Sequence, residues 1–458
     1  MSKMQMKIYN YSPIPVQNLL TMIDGYRKGK NRYGSEYYSV LKELDTYNYG
    51  DMQVQQAYQL KEMRRLIRHA KKNSPFYQEF YAGIDVESIQ TLEDLKKLPV
   101  LEKAMVRNNG KKMFTISEEE GVSSSTSGTT GTPQKVIFTK NDFQKRMAYL
   151  DHFKKQHGVI NLEMRRASFS DQQFVPQTQK SSIYWRDNLS AKQRLYSAFH
   201  CQTHTAEYLA QNLNEYKPEF IDGLPSSIYA IAQWINQNNF QLSYRPIAIF
   251  PSGETLYPHY REEIEMAFGC PVRDQYASSE GAPFIIECPS GNLHYHLMTG
   301  IIETMPDGKM LVTCFHTYGT PLIRYEVGDV LEWEHPHKTC ECGSAHPLVK
   351  SLKGRTNDYL ISKKGERFTG VYMAVNSEWV VRNVQKIQYI QHDEETIETL
   401  IEVVEGNKNL AVEAVRDKLE YLFGDEMNLI IRTVDQIPPQ RNGKHRLIIN
   451  HLAQQAGK

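Results

Sequence analysis

Apolar residues recur at helical spacing through the first part of the chain. In the segment VQQAYQLKEMRRLIRHAKKN, one helix face carries Leu60, Met63, Ile67 and Ala70. Apart from Leu66, charged side chains and His69 fill the positions between them, as in a helix with one buried face. We therefore expect residues 1–110 to be mostly helical.

Two signals alternate between residues 140 and 350. Short apolar runs typical of strands include IAIF at 247–250 and MLVTCF at 310–315. Helical patterns include AEYLAQNLNEY and PHYREEIEMAFG. Strands that alternate with helices predict a mainly parallel, doubly wound sheet.

The pattern changes after about residue 355. KIQYIQ, TLIEVVE and NLIIRTV are typical of strands, and AVEAVRDKLEYLF predicts a helix with Val412, Val415, Leu419 and Leu422 on one face. The fold class we expect is α/β, with a large N-terminal domain of mixed or parallel sheets flanked by helices and a small C-terminal α/β domain. We place the boundary in KGRTNDYL, giving domains 1–354 (with 1–110 as a helical lead-in) and 355–458.

Composition excludes some classes of protein. The 458 residues include 54 Lys and Arg against 53 Asp and Glu, for a net charge of +1, which argues against a bulk nucleic-acid or membrane-binding surface. The N-terminus has no secretory signal pattern, and no stretch approaches the roughly 18 apolar residues of a membrane-spanning helix. We expect a cytoplasmic protein with no nucleic-acid partner and no membrane insertion. The sequence leaves its oligomeric state open.

Ten of the thirteen residues in SSSTSGTTGTPQK, at 123–135, are Ser, Thr or Gly. Gly128 and Gly131 allow close backbone approach to a ligand, and Lys135 adds a positive charge. Hydroxyl donors come from Ser125, Thr126, Ser127, Thr129 and Thr130. Such a loop suits a polyphosphate, although it lacks the G-x-x-x-x-G-K-[ST] pattern of the common P-loop. A flexible Ser/Gly linker is the alternative.

The six cysteines are too few for a disulfide framework in a chain of this length. Cys340 and Cys342 form a Cys-x-Cys-Gly motif, and Cys288 precedes His294 and His296. Clustered Cys and His side chains favour a metal, and we predict structural zinc held by Cys288, His294, Cys340 and Cys342. His296 is the alternative to His294, and reduced thiols without a metal are the alternative to the site.

The loop at 123–135 also resembles the phosphate loop of the adenylate-forming superfamily, which includes acyl-CoA ligases and luciferases. Four further segments follow in that superfamily's order: PSGETL at 251–256, YASSE at 276–280, YEVGD at 325–329, and the pair GR at 354–355 with NGK at 442–444. The variants present here look most like the phenylacetate–CoA ligase branch. The first hundred residues carry no matching motif.

This resemblance implies a role for each segment. Glu280 would ligate the Mg²⁺ that accompanies ATP, with Ser279 beside it as a hydroxyl where the family has Thr. Asp329 would bind the ribose, Arg355 the ribose or phosphates, and Lys444 would stabilise charge in the adenylation step. Adenine and phosphate contacts would come from the loop residues above together with Ser252, Gly253, Glu254, Tyr276, Ala277 and Ser278. Ala277 stands where the family has Gly.

The implied activity is ATP-dependent conversion of a carboxylic acid to acyl-AMP, followed by transfer to a thiol, with coenzyme A as the expected acceptor. The C-terminal domain would rotate between the two steps. An amine or a carrier protein is the alternative acceptor. A non-enzymatic nucleotide-binding module is the other alternative. The identity of the acid cannot be deduced from the sequence.

Overall fold

A computed structural model describes residues 9–47, 49–125, 135–170, 172, 174–176, 179, 181–201, 203–335, 337–353, 359–363, 367–369, 384–403, 408–424, 427–438 and 446–452. The chain divides into two compact units. The first unit comprises Met1–Met22, Met164–Val272 and Arg355–Lys458, and the second comprises Ile23–Glu163 and Arg273–Gly354.

The described helices and strands are numbered in chain order. The helices are α1 (Ile14–Arg32), α2 (Ser35–Thr46), α3 (Met52–Asn73), α4 (Pro75–Phe80), α5 (Lys103–Asn109), α6 (Lys140–Gln156), α7 (Thr203–Tyr216), α8 (Pro225–Gln237), α9 (Pro258–Phe268) and α10 (Lys408–Phe423). The strands are β1 (Val122–Ser125), β2 (Lys135–Phe138), β3 (Arg166–Ser170), β4 (Trp185–Asn188), β5 (Gln193–Ser197), β6 (Phe220–Gly223), β7 (Ala248–Pro251), β8 (Gln275–Tyr276), β9 (Ile285–Glu287), β10 (Leu293–Tyr295), β11 (Gly300–Thr304), β12 (Lys309–Cys314), β13 (Tyr325–Trp333), β14 (Leu348–Lys353), β15 (Tyr359–Ile361), β16 (Arg367–Thr369), β17 (Val384–Gln391), β18 (Thr396–Val403), β19 (Asn428–Thr433) and β20 (Ile448–Asn450). No helix in the described part of the chain is long and apolar enough to cross a membrane.

Helix α3 lies where the apolar spacing predicts it. The Asp51 side chain caps its first turn by accepting hydrogen bonds from the backbone N–H groups of Gln53 and Val54. Its buried face includes Met63 and Ile67 and joins the core of the second unit. The predicted amphipathic pattern therefore corresponds to real burial.

A five-stranded sheet in the first unit has the order β4-β5-β3-β6-β7. Strands β5, β3, β6 and β7 are parallel, and β4 is antiparallel to β5. All four residues of β7 are buried, as expected for a strand covered on both faces. The helices α7, α8 and α9 contribute buried side chains to the same core. Here the expected parallel, helix-flanked sheet is present.

The second unit contains a seven-stranded sheet with the order β11-β12-β13-β14-β10-β9-β8, in which every neighbouring pair is antiparallel. The expectation of mainly parallel strands up to residue 350 is wrong for this part. Parallel neighbours need a long crossover, usually a helix, whereas the described residues of 275–353 contain no α-helix between strands. The mixed α/β fold class itself is confirmed.

The last strands form a four-stranded sheet, β19-β18-β17-β20, in the first unit. Helix α10 packs on it, with Val415 and Leu419 fully buried and Val412 and Leu422 partly buried. The predicted face of the helix is thus the packed face. The division into domains 1–354 and 355–458 stays a prediction, because the C-terminal segment belongs to the same compact unit as residues 164–272.

Candidate functional site

Two short segments of the second unit share one spacing, a tyrosine followed four positions later by a carboxylate. They are Tyr276 to Glu280 and Tyr325 to Asp329. The structure joins them reciprocally. The Tyr276 hydroxyl donates to Asp329 Oδ2 at 2.6 Å, and the Tyr325 hydroxyl donates to Glu280 Oε1 at 3.2 Å. Each tyrosine therefore holds the carboxylate of the other segment.

This contact requires a strongly curved arrangement. In the sheet order, three strands separate β8, which carries Tyr276, from β13, which carries Asp329. Four flat inter-strand spacings would add up to about 19 Å, far beyond the reach of a Tyr and an Asp side chain. The chain around β8 must therefore curl back over the sheet towards β13.

A bulge in β13 sets the position of Asp329. Strand β12 pairs Lys309 with Val330 but Leu311 with Glu326, so β13 carries extra residues at this point. Gly328 adopts φ +88°, a conformation that favours glycine. Bulges commonly redirect a side chain beside a functional site. Here the bulge contains the residue that meets the Tyr276 hydroxyl.

Glu280 is buried, with 6% of its surface exposed. Besides Tyr325, its Oε1 lies 3.4 Å from the ammonium group of Lys103, the first residue of α5. Lys103 also donates to the carbonyl of Val327 at 3.3 Å. The sequence did not reveal this lysine, because no motif marks it and it is distant in the chain from both acidic segments.

Arg146 of α6 holds the turn after Glu280 through hydrogen bonds to the backbone of that turn. Its guanidinium donates to the carbonyl oxygens of Gly281, at 2.7 Å, and Ala282, at 3.2 Å. It also lies 4.4 Å from the centre of the Phe284 ring. Burial lowers the pKa of Arg146 to about 10, so the group stays protonated at neutral pH. Sequence reasoning missed this residue as well.

The residues of the short motif YASSE lie in different environments. The Ser278 hydroxyl accepts a hydrogen bond from the Ala282 N–H at 3.0 Å, whereas Ala277 and Ser279 are exposed. Burial, followed by the neighbouring Asp329 carboxylate, raises the pKa of Tyr276 well above its usual value. The phenol therefore keeps its proton and donates a hydrogen bond to Asp329.

The segment PSGETL lies in the first unit and begins at Pro251, the last residue of β7. The Ser252 N–H donates to the carbonyl of Gly223 at 2.8 Å, and Glu254 accepts from the Ser226 N–H, in the first turn of α8, at 3.1 Å. Ser252, Gly253 and Glu254 thus follow the carboxyl end of a parallel strand. In open α/β sheets this edge is where ligands bind.

The flanks of the Ser/Gly-rich loop form a hairpin, because Ser125 of β1 is paired with Lys135 of β2. The Lys135 ammonium forms an ion pair with Glu118, which is also 3.2 Å from the Lys111 ammonium. The other predicted site residues lie outside the described part of the chain, namely Thr126, Ser127, Gly128, Thr129, Thr130, Gly131, Arg355 and Lys444.

The predicted metal ligands lie together in the second unit. Four residues each offer one ligand atom, and these atoms all lie within 4.8 Å of one another: Cys288, His294, Cys340 and Cys342. His296, the alternative histidine, instead packs its ring on His346 at 4.3 Å and on Tyr149 at 5.1 Å. The structure thus brings together the four residues that we selected from the sequence.

Comparisons with known proteins give the family. Residues 360–451 match the family described as CapK C-terminal domain. Protein CapK of Staphylococcus aureus is 35% identical over 453 residues, which cover 97% of this chain and 99% of that protein. The phenylacetate-coenzyme A ligase of Escherichia coli (strain K12) is 32% identical over 344 residues, covering 70% of this chain and 75% of that enzyme. The chain belongs to the family of CapK and the phenylacetate–coenzyme A ligases.

A solved structure supports the fold of this family. A 2-hydroxyisobutyryl-CoA ligase, crystallised in its postadenylation state with an acyl-AMP, superposes with a TM-score of 0.67 at 17% identity, covering 87% of this chain and 90% of that chain. The fold is that of the adenylate-forming ligases, as the motif resemblance implied. The chain is an enzyme of this ligase class.

Gly281, the residue after Glu280, should be important for the stability of the protein. Gly281 has φ +98°, and a Cβ atom there would lie 2.5 Å from Thr317 Cγ2. Gly281→Ala should lower the free energy of unfolding through both backbone strain and this clash. The matched control is Gly83→Ala, with φ +77° and nothing within 4 Å of a Cβ. We expect Gly281→Ala to be destabilised by about 1–3 kcal/mol more than the control. Equal shifts in the urea-unfolding midpoints would show that the turn tolerates the extra atom.

Proposed function

We propose that the protein activates a carboxylic acid with ATP, giving acyl-AMP and pyrophosphate, and then transfers the acyl group to the thiol of coenzyme A. The observation that carries this proposal is the reciprocal pairing of Tyr276 with Asp329 and of Tyr325 with Glu280 in a member of this ligase family. Two carboxylates are held at defined positions by neutral hydroxyl groups that donate hydrogen bonds to them.

In the first step, an oxygen of the substrate carboxylate attacks the α-phosphorus of ATP, and the bond from that phosphorus to the pyrophosphate oxygen breaks. Asp329 would accept hydrogen bonds from the ribose hydroxyls, as carboxylates do in dinucleotide-binding folds. Lys103 would attract phosphate oxygens to the region of Glu280. Tyr276 would offer its ring to the adenine while its hydroxyl orients Asp329.

The residues around Glu280 fit a Mg²⁺ ion that enters with the nucleotide. Glu280 offers carboxylate oxygens, the ligands that this hard ion prefers, and the Tyr325 hydroxyl orients one of them. The ion would supply neutralisation of the phosphate charge during attack. The buried position of Glu280 limits competition from water.

In the second step, the sulfur of the acceptor thiol attacks the acyl carbon and AMP leaves, so that a thioester replaces the mixed anhydride. One observation keeps a second acceptor under test. The phenylacetate–coenzyme A ligases of Escherichia coli and Thermus thermophilus match only 70% and 67% of this chain, whereas CapK matches 97%. The name of CapK, which matches almost the whole chain, states no acceptor, so an amine or a carrier-protein thiol is the alternative acceptor.

An exchange assay tests the proposal. We expect isotope exchange between pyrophosphate and ATP only when a suitable acid is added from a panel of aryl, fatty and hydroxy acids. Coenzyme A should then convert the acyl-AMP to a thioester. Exchange without thioester, together with amide formation from an added amine, would move the proposal to the alternative acceptor. Nucleotide binding without exchange for any acid would indicate a binding module.

The ribose assignment predicts a selective defect in Asp329→Ala. The KM for ATP should rise at least about tenfold, because hydrogen bonds to a charged group are lost. Binding of pyrophosphate, which has no ribose, should change much less. Asp307→Ala is the control, since Asp307 is an exposed Asp that pairs with Lys309. An unaltered KM for ATP would refute the assignment.

The position of Lys444 in the NGK motif predicts a defect in one half-reaction. In the proposed mechanism Lys444 contacts the carboxylate and α-phosphate only during adenylation, and domain 355–458 then rotates about the segment near Arg355. Lys444→Ala should slow adenylation about 100-fold or more. Thioester formation from supplied acyl-AMP should stay within a few-fold of the parent rate. Equal losses in both half-reactions would remove the role.

A further inference from the structure

We propose that Cys288, His294, Cys340 and Cys342 bind one structural Zn²⁺ ion. Their ligand atoms all lie within 4.8 Å of one another, and all four residues belong to the second compact unit. Three thiols and one imidazole are a common ligand set of closed, tetrahedral zinc sites. The site is separate from the groups that the proposed ligase reaction uses.

Two of the six distances between ligand atoms match the edges of a tetrahedron around zinc, and the others do not exceed 4.8 Å. With Zn–S near 2.3 Å and Zn–N near 2.0 Å, the edges of the tetrahedron are about 3.8 Å between two sulfurs and about 3.5 Å between sulfur and nitrogen. Cys288 Sγ lies 3.6 Å from Cys340 Sγ, and Cys342 Sγ lies 3.5 Å from His294 Nε2. The two sulfurs are much farther apart than the roughly 2.05 Å of a disulfide bond.

The environment of His294 orients it for a metal. Its Nδ1 lies 2.9 Å from the carbonyl oxygen of His346, which can only accept a hydrogen bond. Nδ1 therefore carries the proton, and Nε2 presents its lone pair to Cys342. Metal-ligating histidines are commonly fixed in this way through the other ring nitrogen. The Asn292 amide similarly donates to Cys340 Sγ at 3.3 Å, a contact that favours a thiolate.

Tight turns hold the thiols in place. The Cys288 N–H donates to the carbonyl of Asn292, and the Gly291 N–H donates back to the carbonyl of Cys288, both at 2.9 Å. Beyond the second cluster, the Gly343 N–H donates to the carbonyl of Cys340 at 3.1 Å. The cysteines thus lie in short hydrogen-bonded turns, so little chain ordering is needed when the metal binds.

The ion would link three strands of the sheet that also carries Tyr276 and Asp329. Cys288 directly follows β9, His294 lies within β10, and Cys342 precedes β14. Strand β9 pairs with β8, which carries Tyr276, and Glu287 also accepts a hydrogen bond from the Asp274 N–H at 3.0 Å. Zinc would therefore stabilise the edge of the sheet on which the Tyr276 segment rests.

Metal analysis of the full chain, purified under reducing conditions without a histidine tag, tests the proposal. We expect about one zinc per chain, and after exchange into Co²⁺ the absorption bands of a tetrahedral thiolate site. The double variant Cys340→Ser with Cys342→Ser changes two ligands that are not fully buried, so it should fold but lose the zinc. Its melting temperature should be lowered to that of the chelated parent protein.

Two control variants separate the ligands from their neighbours. His296→Asn alters the histidine two positions after His294, and Cys201→Ala removes a buried thiol in the first unit. Both should keep the zinc, whereas His294→Asn should lose it. Three results would overturn the proposal: zinc well below one equivalent even after reconstitution, zinc unaffected by the double cysteine variant, or a Cys288–Cys340 disulfide in the reduced preparation. None of these readouts depends on ligase activity, so the zinc site and the proposed reaction can fail separately.

Discussion

The candidate site depends on a pair of hydrogen bonds between tyrosines and carboxylates. Tyr276 donates to Asp329 and Tyr325 donates to Glu280, so two segments that are distant in the chain brace each other. A hydrogen bond to a charged group contributes about 1.5–3 kcal/mol, and a buried carboxylate without a donor is costly. The bulge in β13 and the curl of β8 over the sheet both serve to bring these four side chains together. The guanidinium of Arg146 then supports the Gly281 turn from behind.

This arrangement explains how acidic groups could serve a nucleotide that is itself negatively charged. The tyrosines donate hydrogen bonds without adding a positive charge, and so they position Glu280 and Asp329 for a cation and for the ribose hydroxyls. Lys103, 3.4 Å from Glu280, is a positive group next to this carboxylate. The proposed mechanism therefore combines a fixed carboxylate for the metal ion with a nearby ammonium group for phosphate oxygens. Loss of the Glu280 charge would weaken the contribution of the metal ion to nucleotide binding, whereas loss of the Lys103 charge would weaken the attraction of phosphate oxygens.

Much of the fold could be predicted from the sequence because its signals are local. Helix α3 shows its buried face in the spacing of Met63 and Ile67, and α10 does so with Val415 and Leu419. The antiparallel order of the strands between residues 275 and 353 could not be predicted, since apolar runs do not specify which strands pair. The repeated spacing from Tyr276 to Glu280 and from Tyr325 to Asp329 is visible in the sequence, but the cross-pairing depends on the curvature of the sheet.

Two site residues were missed in the sequence for the same physical reason. Lys103 and Arg146 act through contacts with chain segments more than a hundred positions away, and no local pattern marks them. The cysteine and histidine cluster was predictable because the chemistry of its side chains is distinctive. The structure distinguishes His294 from His296, although both residues are buried: His294 Nε2 lies 3.5 Å from Cys342 Sγ, whereas the His296 ring packs on His346.

Calorimetric titration of ATP, with and without Mg²⁺, into the parent protein and into Glu280→Gln tests the central claim most directly. If the Tyr325-held carboxylate ligates the ion, Mg²⁺ should strengthen ATP binding to the parent, and this gain should disappear in Glu280→Gln. Tyr325→Phe should keep part of the gain, because the carboxylate remains but loses its orienting hydroxyl. An equal gain from Mg²⁺ in the parent and in Glu280→Gln would contradict the account.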